Sequence, residues 1–206
     1  MNNFTHLHVH TQFSLLDGAA KIPDLVSYAK ELGMTSLAIT DHGVMYGAID
    51  FYQECKKQGI KPILGCEVYV TTGSHLERNN RGLFHLILLA ENLEGYHNIM
   101  KMVSLSQLEG FYYKPRVDKD ILRAHSKGVI CLSACIAGEL PVLIQQGNMD
   151  GARRCLEEHI EIFGKENYFL EIQNHDLPEE HKANRGLKQL AKEYGLGLVA
   201  TNDLHY

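Results

Sequence analysis

KELGMTSLAIT, residues 30–40, sets the architecture of this chain. A helical pattern ends at Gly33, and an apolar run with β-forming residues begins directly after it. Glycine in this place accommodates the left-handed backbone that closes a helix, and the apolar run is typical of a strand buried on both faces. The same junction recurs in KKQGIKPILG (56–65), HSKGVICLS (125–133) and KEYGLGLVAT (192–201). Each copy therefore indicates one helix-to-strand unit.

These junctions predict seven strands, most of them separated by helices. The strands are expected at residues 4–9, 36–40, 62–70, 84–90, 129–133, 168–173 and 196–201, and the helix N-caps at Asn92, Asp118 and Asn148. Such alternation predicts parallel strands joined by right-handed crossovers, in an open doubly wound sheet or a closed barrel. Seven strands favour an α/β fold of the distorted (βα)7 TIM-like barrel type, as a single domain over residues 1–206.

Composition excludes several classes of protein. The 206 residues are 45% hydrophobic and 22% charged, which is typical of a globular domain and not of a disordered or fibrous chain. Twenty Lys and Arg against 25 Asp and Glu give a formal charge of −5, so a basic nucleic-acid footprint is absent globally while local patches remain open. Five cysteines without a CxxC pair predict reduced thiols and a cytoplasmic location. Neither a signal peptide nor a membrane span is predicted, so no membrane partner is expected.

Histidine is the compositional outlier, at 12 of 206 residues. Seven lie within or just after predicted strands: His6, His8, His10, His42, His85, His175 and His205. The carboxyl ends of parallel barrel strands meet at one face, so these side chains are expected to converge. Acidic and thiol side chains hold similar positions, namely Asp17, Asp41, Glu67, Cys135 and Asp203. The pattern predicts a metal cluster.

Short motifs refine this prediction. His8 and His10 are two residues apart, so their side chains share a face of an extended backbone, although alternating histidines can also be core residues. Glu67 interrupts the apolar run GCEVYV, and a buried charge is costly unless it is paired or bound to a metal. In TDHG, one of Asp41 and His42 is expected to face the site while the other orients a ligand.

The later motifs leave more alternatives open. His85, in LFHLILLA, is either a ligand or a core histidine satisfied by one carbonyl. Cys135 is either a thiolate ligand or a nucleophile activated by a nearby histidine. Asp203 and His205, in NDLHY, are again two residues apart at the end of a strand. Asp41, His42 and Asp203 are the predicted catalytic residues.

The donor set predicts a hydrolytic metal site. These imidazoles and carboxylates are more than one ion needs, so they indicate two or three divalent ions. Such ions activate water and stabilise the attacking and leaving oxygens of a phosphoryl centre. The donors suit Zn²⁺, Mn²⁺ or Fe²⁺.

Together these motifs resemble a known family. HxHTxxSxxDG, TDHG, the strand glutamate and histidine, the cysteine of LSAC and NDxHY are similar to the PHP (polymerase and histidinol phosphatase) superfamily. Longer segments resemble the N-terminal PHP domains of bacterial replicative DNA polymerase III alpha subunits: residues 5–22, 38–52, 59–70, 109–118 and 199–206. The resemblance runs almost from end to end of the chain.

The resemblance implies a (βα)7-type barrel with up to three metal ions. The ligands carried over onto this sequence are His8, His10, Asp17, His42, Glu67, His85, Cys135, Asp203 and His205. It also implies metal-dependent phosphoester hydrolysis, including 3′-to-5′ exonuclease proofreading, with polymerisation carried by domains outside this chain. The chain is then an N-terminal fragment of a much longer DNA polymerase. Its implied partners are a single-stranded DNA 3′ end, the remaining polymerase domains and a separate proofreading exonuclease subunit.

Two irregular connections, TTGSHLERNNRG (71–82) and EGFYYKPRV (109–117), separate predicted elements. Tyr113, Lys114 and Arg116 are the predicted substrate-binding residues, because an aromatic ring stacks on a base while the two cations hold a phosphate. Alternatively, the aromatic residues anchor the loop to the barrel or to another polymerase domain. Arg78 and Arg81 either guide a phosphate or belong to an ordinary solvated loop.

Two further functions remain open at this stage. The first is a metal-stabilised structural module of the polymerase that docks the proofreading exonuclease. The second is a free-standing phosphatase similar to histidinol phosphatase, which fits the ligands but not the polymerase-like segments between them.

Overall fold

The computed structural model describes residues 4–205 of the chain. Its strands are β1 (Ser36–Ile39), β2 (Lys61–Thr71), β3 (Leu83–Ala90), β4 (Arg116–Val117), β5 (Val129–Leu132), β6 (Tyr168–Ile172) and β7 (Leu198–Ala200). Its α-helices are α1 (Ile22–Glu31), α2 (Ala48–Gln58), α3 (Leu93–Leu108), α4 (Lys119–Ala124), α5 (Glu139–Gln145), α6 (Met149–Phe163) and α7 (Pro178–Tyr194). A 3₁₀ turn at Lys165–Asn167 precedes β6.

The strands form one curled sheet in the order β1-β2-β3-β5-β6-β7, with β4 paired to β2. The pairs β1–β2, β5–β6 and β6–β7 are parallel, whereas β3 is antiparallel to both of its neighbours. The prediction of an all-parallel sheet is therefore wrong for β3. Residues 72–82 contain no helix that would carry the chain back across the sheet, so the chain reverses and returns beside β2.

The first predicted strand, residues 4–9, is not a regular strand, and it nevertheless joins the two edges of the sheet. On the β1 side, the backbone N–H of Thr40 donates to the carbonyl of Val9 across 2.8 Å. On the β7 side, the N–H of His10 donates to the carbonyl of Leu204 across 2.8 Å. This segment thereby closes the curled sheet into a distorted barrel, as the sequence predicts.

Helices pack on the outer face of this sheet. The larger apolar cluster lies between β2, β3, β5, β6 and helices α3 to α7, and a second cluster lies between β1 and helices α1 and α2. The three predicted N-caps are confirmed, because the side chains of Asn92, Asp118 and Asn148 each accept a backbone N–H at the start of a helix. Within residues 4–205, no helix combines the length and apolarity needed to cross a membrane.

Candidate metal centre

The nine predicted ligands converge at one end of the barrel. Their donor atoms form three overlapping groups, each within 4.8 Å: His8, His10 and Asp203; His10, His42 and His205; and His42, Glu67 and His85. Asp17 adjoins them, with Oδ2 at 3.3 Å from Nε2 of His42. Cys135 Sγ lies 3.9 Å from Nδ1 of His85. The convergence predicted from the sequence is therefore present in the structure.

Strand direction explains how His85 reaches this end. His85 is the third residue of β3, not a residue at its carboxyl end, and it pairs with Tyr69 near the end of β2. Because β3 runs antiparallel, its first residues lie beside the last residues of its neighbour. His85 therefore lies in the cluster, as the sequence predicts, although β3 runs antiparallel and not parallel as predicted.

The innermost donors are buried and lack hydrogen-bond partners. Nε2 of His8 lies 3.0 Å from Oδ1 of Asp203 and 3.4 Å from Oε1 of Glu67, and Nε2 of His10 lies 3.3 Å from the same Asp203 oxygen. None of these atoms makes a hydrogen bond of acceptable geometry. Ligand atoms held about 2.0–2.1 Å from a tetrahedral Zn²⁺ lie about 3.3 Å apart. The donor set and its spacing therefore fit a divalent metal.

Hydrogen bonds fix the orientation of the His8 ring. Its Nδ1 donates to Oε1 of Glu171 across 2.7 Å, and the same oxygen accepts from Gln173 and Thr201. Nε2 of His8 is left pointing at the cluster, an arrangement typical of metal-binding histidines. The sequence motifs do not identify Glu171. The available signal was a charged residue inside the apolar run YFLEI of β6, the same signal that identified Glu67.

Asp41 orients the cluster from outside it. Its Oδ1 accepts from the N–H of Thr11 and from the hydroxyl of Ser14, both across 2.7 Å, and its Oδ2 accepts from the Thr11 hydroxyl across 2.8 Å. Since Ser14 gives its proton to Asp41, its oxygen accepts from Nδ1 of His10 across 3.0 Å. Both Asp41 oxygens are occupied, so the geometry does not support the predicted catalytic role for Asp41. In TDHG it is His42 that faces the cluster.

Electrostatics keep the cluster carboxylates ionised. Burial opposes ionisation of Glu67, but the surrounding histidines, led by His42 and His8, hold the pKa of Glu67 well below its usual range. The pKa of Asp203 is likewise lowered, against its burial, by His10 and His8. Burial raises the pKa of the Cys135 thiol to about 12, and Glu67 and Asp203 add to the rise. A thiol of that pKa is neutral at neutral pH, so either predicted role of Cys135, as metal ligand or as nucleophile, requires a neighbouring cation that displaces its proton.

A cavity of about 470 Å³ opens above the cluster. Asp17, His42, His85, Cys135, Asp203 and His205 contribute to its lining. Of the three predicted substrate-binding residues, Lys114 lines this cavity, with Nζ 5.2 Å from the centre of the Tyr69 ring. Tyr113 does not line it. Its hydroxyl accepts from Arg81, whose guanidinium carbon lies 4.1 Å from the centre of the Tyr113 ring.

Arg116 has a structural role that contradicts its prediction as a phosphate-binding residue. The side chain is fully buried, and its guanidinium donates to the carbonyls of Gly110 (2.9 Å), Asn80 (3.0 Å), His75 (2.8 Å) and Glu77 (2.5 Å). These bonds tie the 72–82 loop to the 109–117 loop. Arg78 makes a similar connection, donating to the carbonyl of Glu109 across 2.6 Å.

Two histidines of the sequence pattern stand apart from the three donor groups. His175 bonds the carboxylate of Glu180 and, through Nε2, donates to the carbonyl of Asn202 across 2.8 Å. It therefore supports the loop that precedes Asp203. His6 lies on the segment that joins the sheet edges and belongs to none of the donor groups.

Two solved structures share this fold. One is a protein assigned as a metal-dependent phosphoesterase from Bifidobacterium adolescentis, with a TM-score of 0.56 and 16% identity over 98% of this chain and 87% of that one. The other is an amidohydrolase from Chromobacterium violaceum solved with bound sulfate and no metal, with a TM-score of 0.58 and 15% identity over 98% and 87% of the two chains. At these identities the likeness concerns the fold, which is that of a distorted TIM-like barrel with its polar residues gathered at one end.

The sequence pattern of the PHP domain matches residues 6–175, and the chain belongs to the PHP domain family. It is 50% identical over 210 residues to the DNA polymerase III subunit alpha of Thermus aquaticus and 48% identical over 208 residues to that of Treponema pallidum, matches that cover 98% and 99% of this chain. The resemblance to polymerase III alpha subunits is confirmed. The chain spans 17% and 18% of the length of these two relatives.

Proposed function

We propose that this PHP domain hydrolyses phosphoesters at the 3′ end of single-stranded DNA, with bound divalent metal ions, as part of a cytoplasmic replicative DNA polymerase. The observation that carries the proposal is the set of buried donor atoms without hydrogen-bond partners beneath an open cavity. Such atoms are costly to bury unless a cation joins them. The polymerase III alpha relatives make DNA the favoured substrate.

Nine residues would hold two or three divalent ions, as Zn²⁺, Mn²⁺ or Fe²⁺: His8, His10, Asp17, His42, Glu67, His85, Cys135, Asp203 and His205. When bound, such ions lower the pKa of water and neutralise charge that develops on phosphoryl oxygens. The chain itself supplies the orientation, since Glu171 holds the His8 ring and the Asp41–Ser14 pair holds the His10 ring. His42 and Asp203 line the cavity and are proposed to contact the reacting phosphate, while Asp41 is a positioning residue.

Lys114 is proposed as the phosphate-binding cation. It is the only Lys or Arg among the described residues that line the cavity. Its ammonium lies near the Tyr69 ring and makes no ion pair within the described part of the chain. A flexible cation of this kind binds a phosphate oxygen as a point charge.

The test combines metal analysis with an activity assay on one sample. Metal content is measured, and nucleotide release is followed from a 3′-labelled single strand with added Mn²⁺ or Zn²⁺ and with chelator. Two or three ions and release abolished by chelation are expected. Asp203→Asn and His10→Ala are expected to abolish release, whereas Asp120→Asn and His97→Ala, which change exposed residues of the same types, are expected to leave it intact. Full release in Asp203→Asn would refute the site.

A second function rests on a separate observation. Arg116 bonds loop carbonyls, the chain carries a net charge of −5, and Lys114 is the one Lys or Arg among the described residues that line the cavity, so side chains supply little positive charge for DNA there. These features favour a metal-stabilised module that docks a proofreading exonuclease. Metal binding without nucleotide release would support this alternative. Polymerase relatives matched over 98–99% of the chain argue against a free-standing phosphatase.

A further inference from the structure

Exposed apolar side chains line part of the cavity. Leu15 and Leu16 are 81% and 85% exposed, and Tyr46 is 68% exposed. All three line the cavity that also contains Asp17 and His42. Single exposed leucines are ordinary on protein surfaces, but three large apolar side chains beside one polar floor form a binding surface of mixed character.

The loop that presents the leucines is held in place at both ends. The N–H of Gln12 donates to the carbonyl of Ala20 across 2.9 Å, and the N–H of Gly18 donates to the carbonyl of Ser14 across 2.8 Å. A Cβ at Gly18 would lie 2.0 Å from the carbonyl oxygen of Thr11, so the turn requires glycine. The backbone of this turn is therefore fixed before a ligand binds, which reduces the backbone entropy lost on binding.

Tyr46 extends the same surface from a second loop. Its ring packs edge-on against that of Phe13, with the ring centres 6.4 Å apart. Phe13 also lines the cavity, so aromatic and aliphatic side chains are continuous along this wall. Lys114 lines the cavity as well, and the metal ligands form its floor. The metal ligands and Lys114 suit a phosphate, and the apolar wall suits a flat apolar group. A ligand that carries both groups would therefore fit this cavity.

We infer that Leu15, Leu16 and Tyr46 bind the unstacked nucleobase of the terminal nucleotide while its phosphate lies at the cluster. This inference rests on the proposed function and adds to it the surface that would hold the unpaired base of the terminal nucleotide. Proteins hold extruded bases by stacking them between aromatic and apolar side chains. The base contact is thereby assigned to Leu15, Leu16 and Tyr46. It is not assigned to Tyr113, which contacts Arg81 and does not line the cavity.

The test compares two product analogues by calorimetry on the Mn²⁺-loaded 206-residue chain. Thymidine 5′-monophosphate carries the base, and 2-deoxyribose 5-phosphate lacks it. We expect the nucleotide to bind about tenfold more tightly, the size of a modest base-stacking contribution. The double variant Leu15→Ser/Leu16→Ser should reduce this preference to less than twofold and leave binding of the sugar phosphate unchanged. Both leucines are exposed, so the variant is expected to fold normally.

Leu76→Ser/Leu93→Ser is the matched control, because these leucines are also exposed and lie away from the cavity. It should keep the tenfold preference. Equal binding of the two analogues to the unmodified chain would overturn the inference, as would a preference that survives Leu15→Ser/Leu16→Ser. The second result is expected if the leucines instead pack against another part of a longer protein. Failure of both analogues to bind would also count against it.

Failure of the proposed function has a different signature. If the chain prefers the nucleotide tenfold but releases nothing from a 3′-labelled strand, hydrolysis is refuted while the base-binding surface stands.

Discussion

Nδ1 of His8 donates to Oε1 of Glu171 across 2.7 Å, although 163 positions separate the two residues in the chain. Both side chains are buried, so the bond is not exchanged for bonds to water. It fixes the ring so that Nε2 points at Glu67 and Asp203. Glu171 is thus the member of the site that the sequence motifs leave unidentified.

Glu171→Ala is expected to weaken metal binding by about 10- to 100-fold, the usual cost of losing a residue that orients a ligand. The His8 ring would lose the acceptor that fixes its tautomer. Competition with a chromogenic chelator measures the affinity. Glu171→Gln keeps a carbonyl acceptor and should recover part of it, and Glu161→Ala changes an exposed glutamate as a control. Unchanged affinity in Glu171→Ala would contradict the positioning role.

Metal removal is expected to lower the melting temperature. An ion at about 100 times its dissociation constant, bound only to the folded chain, adds about 2.7 kcal/mol to the free energy of unfolding. For a chain of this length, that corresponds to about 5–10 °C. Calorimetry with and without chelator measures the shift. Asp203→Asn should lose most of this change in melting temperature, and His97→Ala should retain it. Equal melting curves for the metal-loaded and metal-free chain would argue against metal binding.

Arg116→Ala is expected to lower the free energy of unfolding by about 3 kcal/mol or more, because it leaves several carbonyls of two loops without donors. Arg116→Lys should recover little, since an ammonium lacks the planar fork that reaches several acceptors at once. Urea unfolding measures both variants. A loss below about 0.5 kcal/mol, the size of an ordinary surface change, would show that the loops do not depend on this side chain.

In contrast to Arg116→Ala, Lys114→Ala is expected to weaken DNA binding and to leave stability nearly unchanged. Its side chain contributes to the cavity lining, so stability should change by less than about 0.5 kcal/mol. Binding of a single DNA strand should weaken. The slope of log affinity against log salt concentration should become shallower by about one, which corresponds to the loss of one phosphate contact. Fluorescence anisotropy over a range of salt concentrations measures this effect. Lys30→Ala, on α1, serves as the control, and an unchanged salt dependence in Lys114→Ala would exclude the phosphate contact.

Stability should depend on Asp118 in acid. Burial opposes its ionisation, but bonds from His75 and Ile121 hold the pKa of Asp118 below its usual value. A carboxyl whose pKa is depressed by folding stabilises the chain above its unfolded pKa of about 3.9, and this contribution is lost as the pH falls through the folded value. The difference in unfolding free energy between the unmodified chain and Asp118→Asn should therefore be constant above about pH 5 and shrink below about pH 4.

Urea titrations between pH 3 and pH 6 measure this difference. Asp120→Asn, which changes an exposed aspartate two residues later in the first turn of α4, should show little pH dependence relative to the unmodified chain. If the difference in unfolding free energy between the unmodified chain and Asp118→Asn instead grew on acidification, folding would raise the pKa of Asp118, which would contradict the contacts with His75 and Ile121.

The sequence by itself determined the donor set and most of the elements. Alternation placed His8 and His10 on one face, and Glu67 stood out because a charge inside an apolar strand needs a partner. Gly33, Gly59 and Gly195 marked helix ends, and Asn92 marked a helix start, because these signals depend on the local backbone alone. Gly128 instead lies in a turn before β5, beyond the C-cap of α4 at His125. The barrel and the convergence of the donors followed from the order of these local signals.

Only the tertiary structure decided how the side chains between these elements are used. Apolar periodicity reports burial but not strand direction, so β3 was expected to be parallel. Arg116 and Lys114 are two nearby cations in the same sequence motif. The Arg116 guanidinium donates to loop carbonyls, whereas the Lys114 side chain lines the cavity. Asp41 and Glu171 became positioning residues through partners that lie 27 to 163 positions away. Such roles depend on which groups the fold brings within hydrogen-bond distance, and local sequence does not encode that distance.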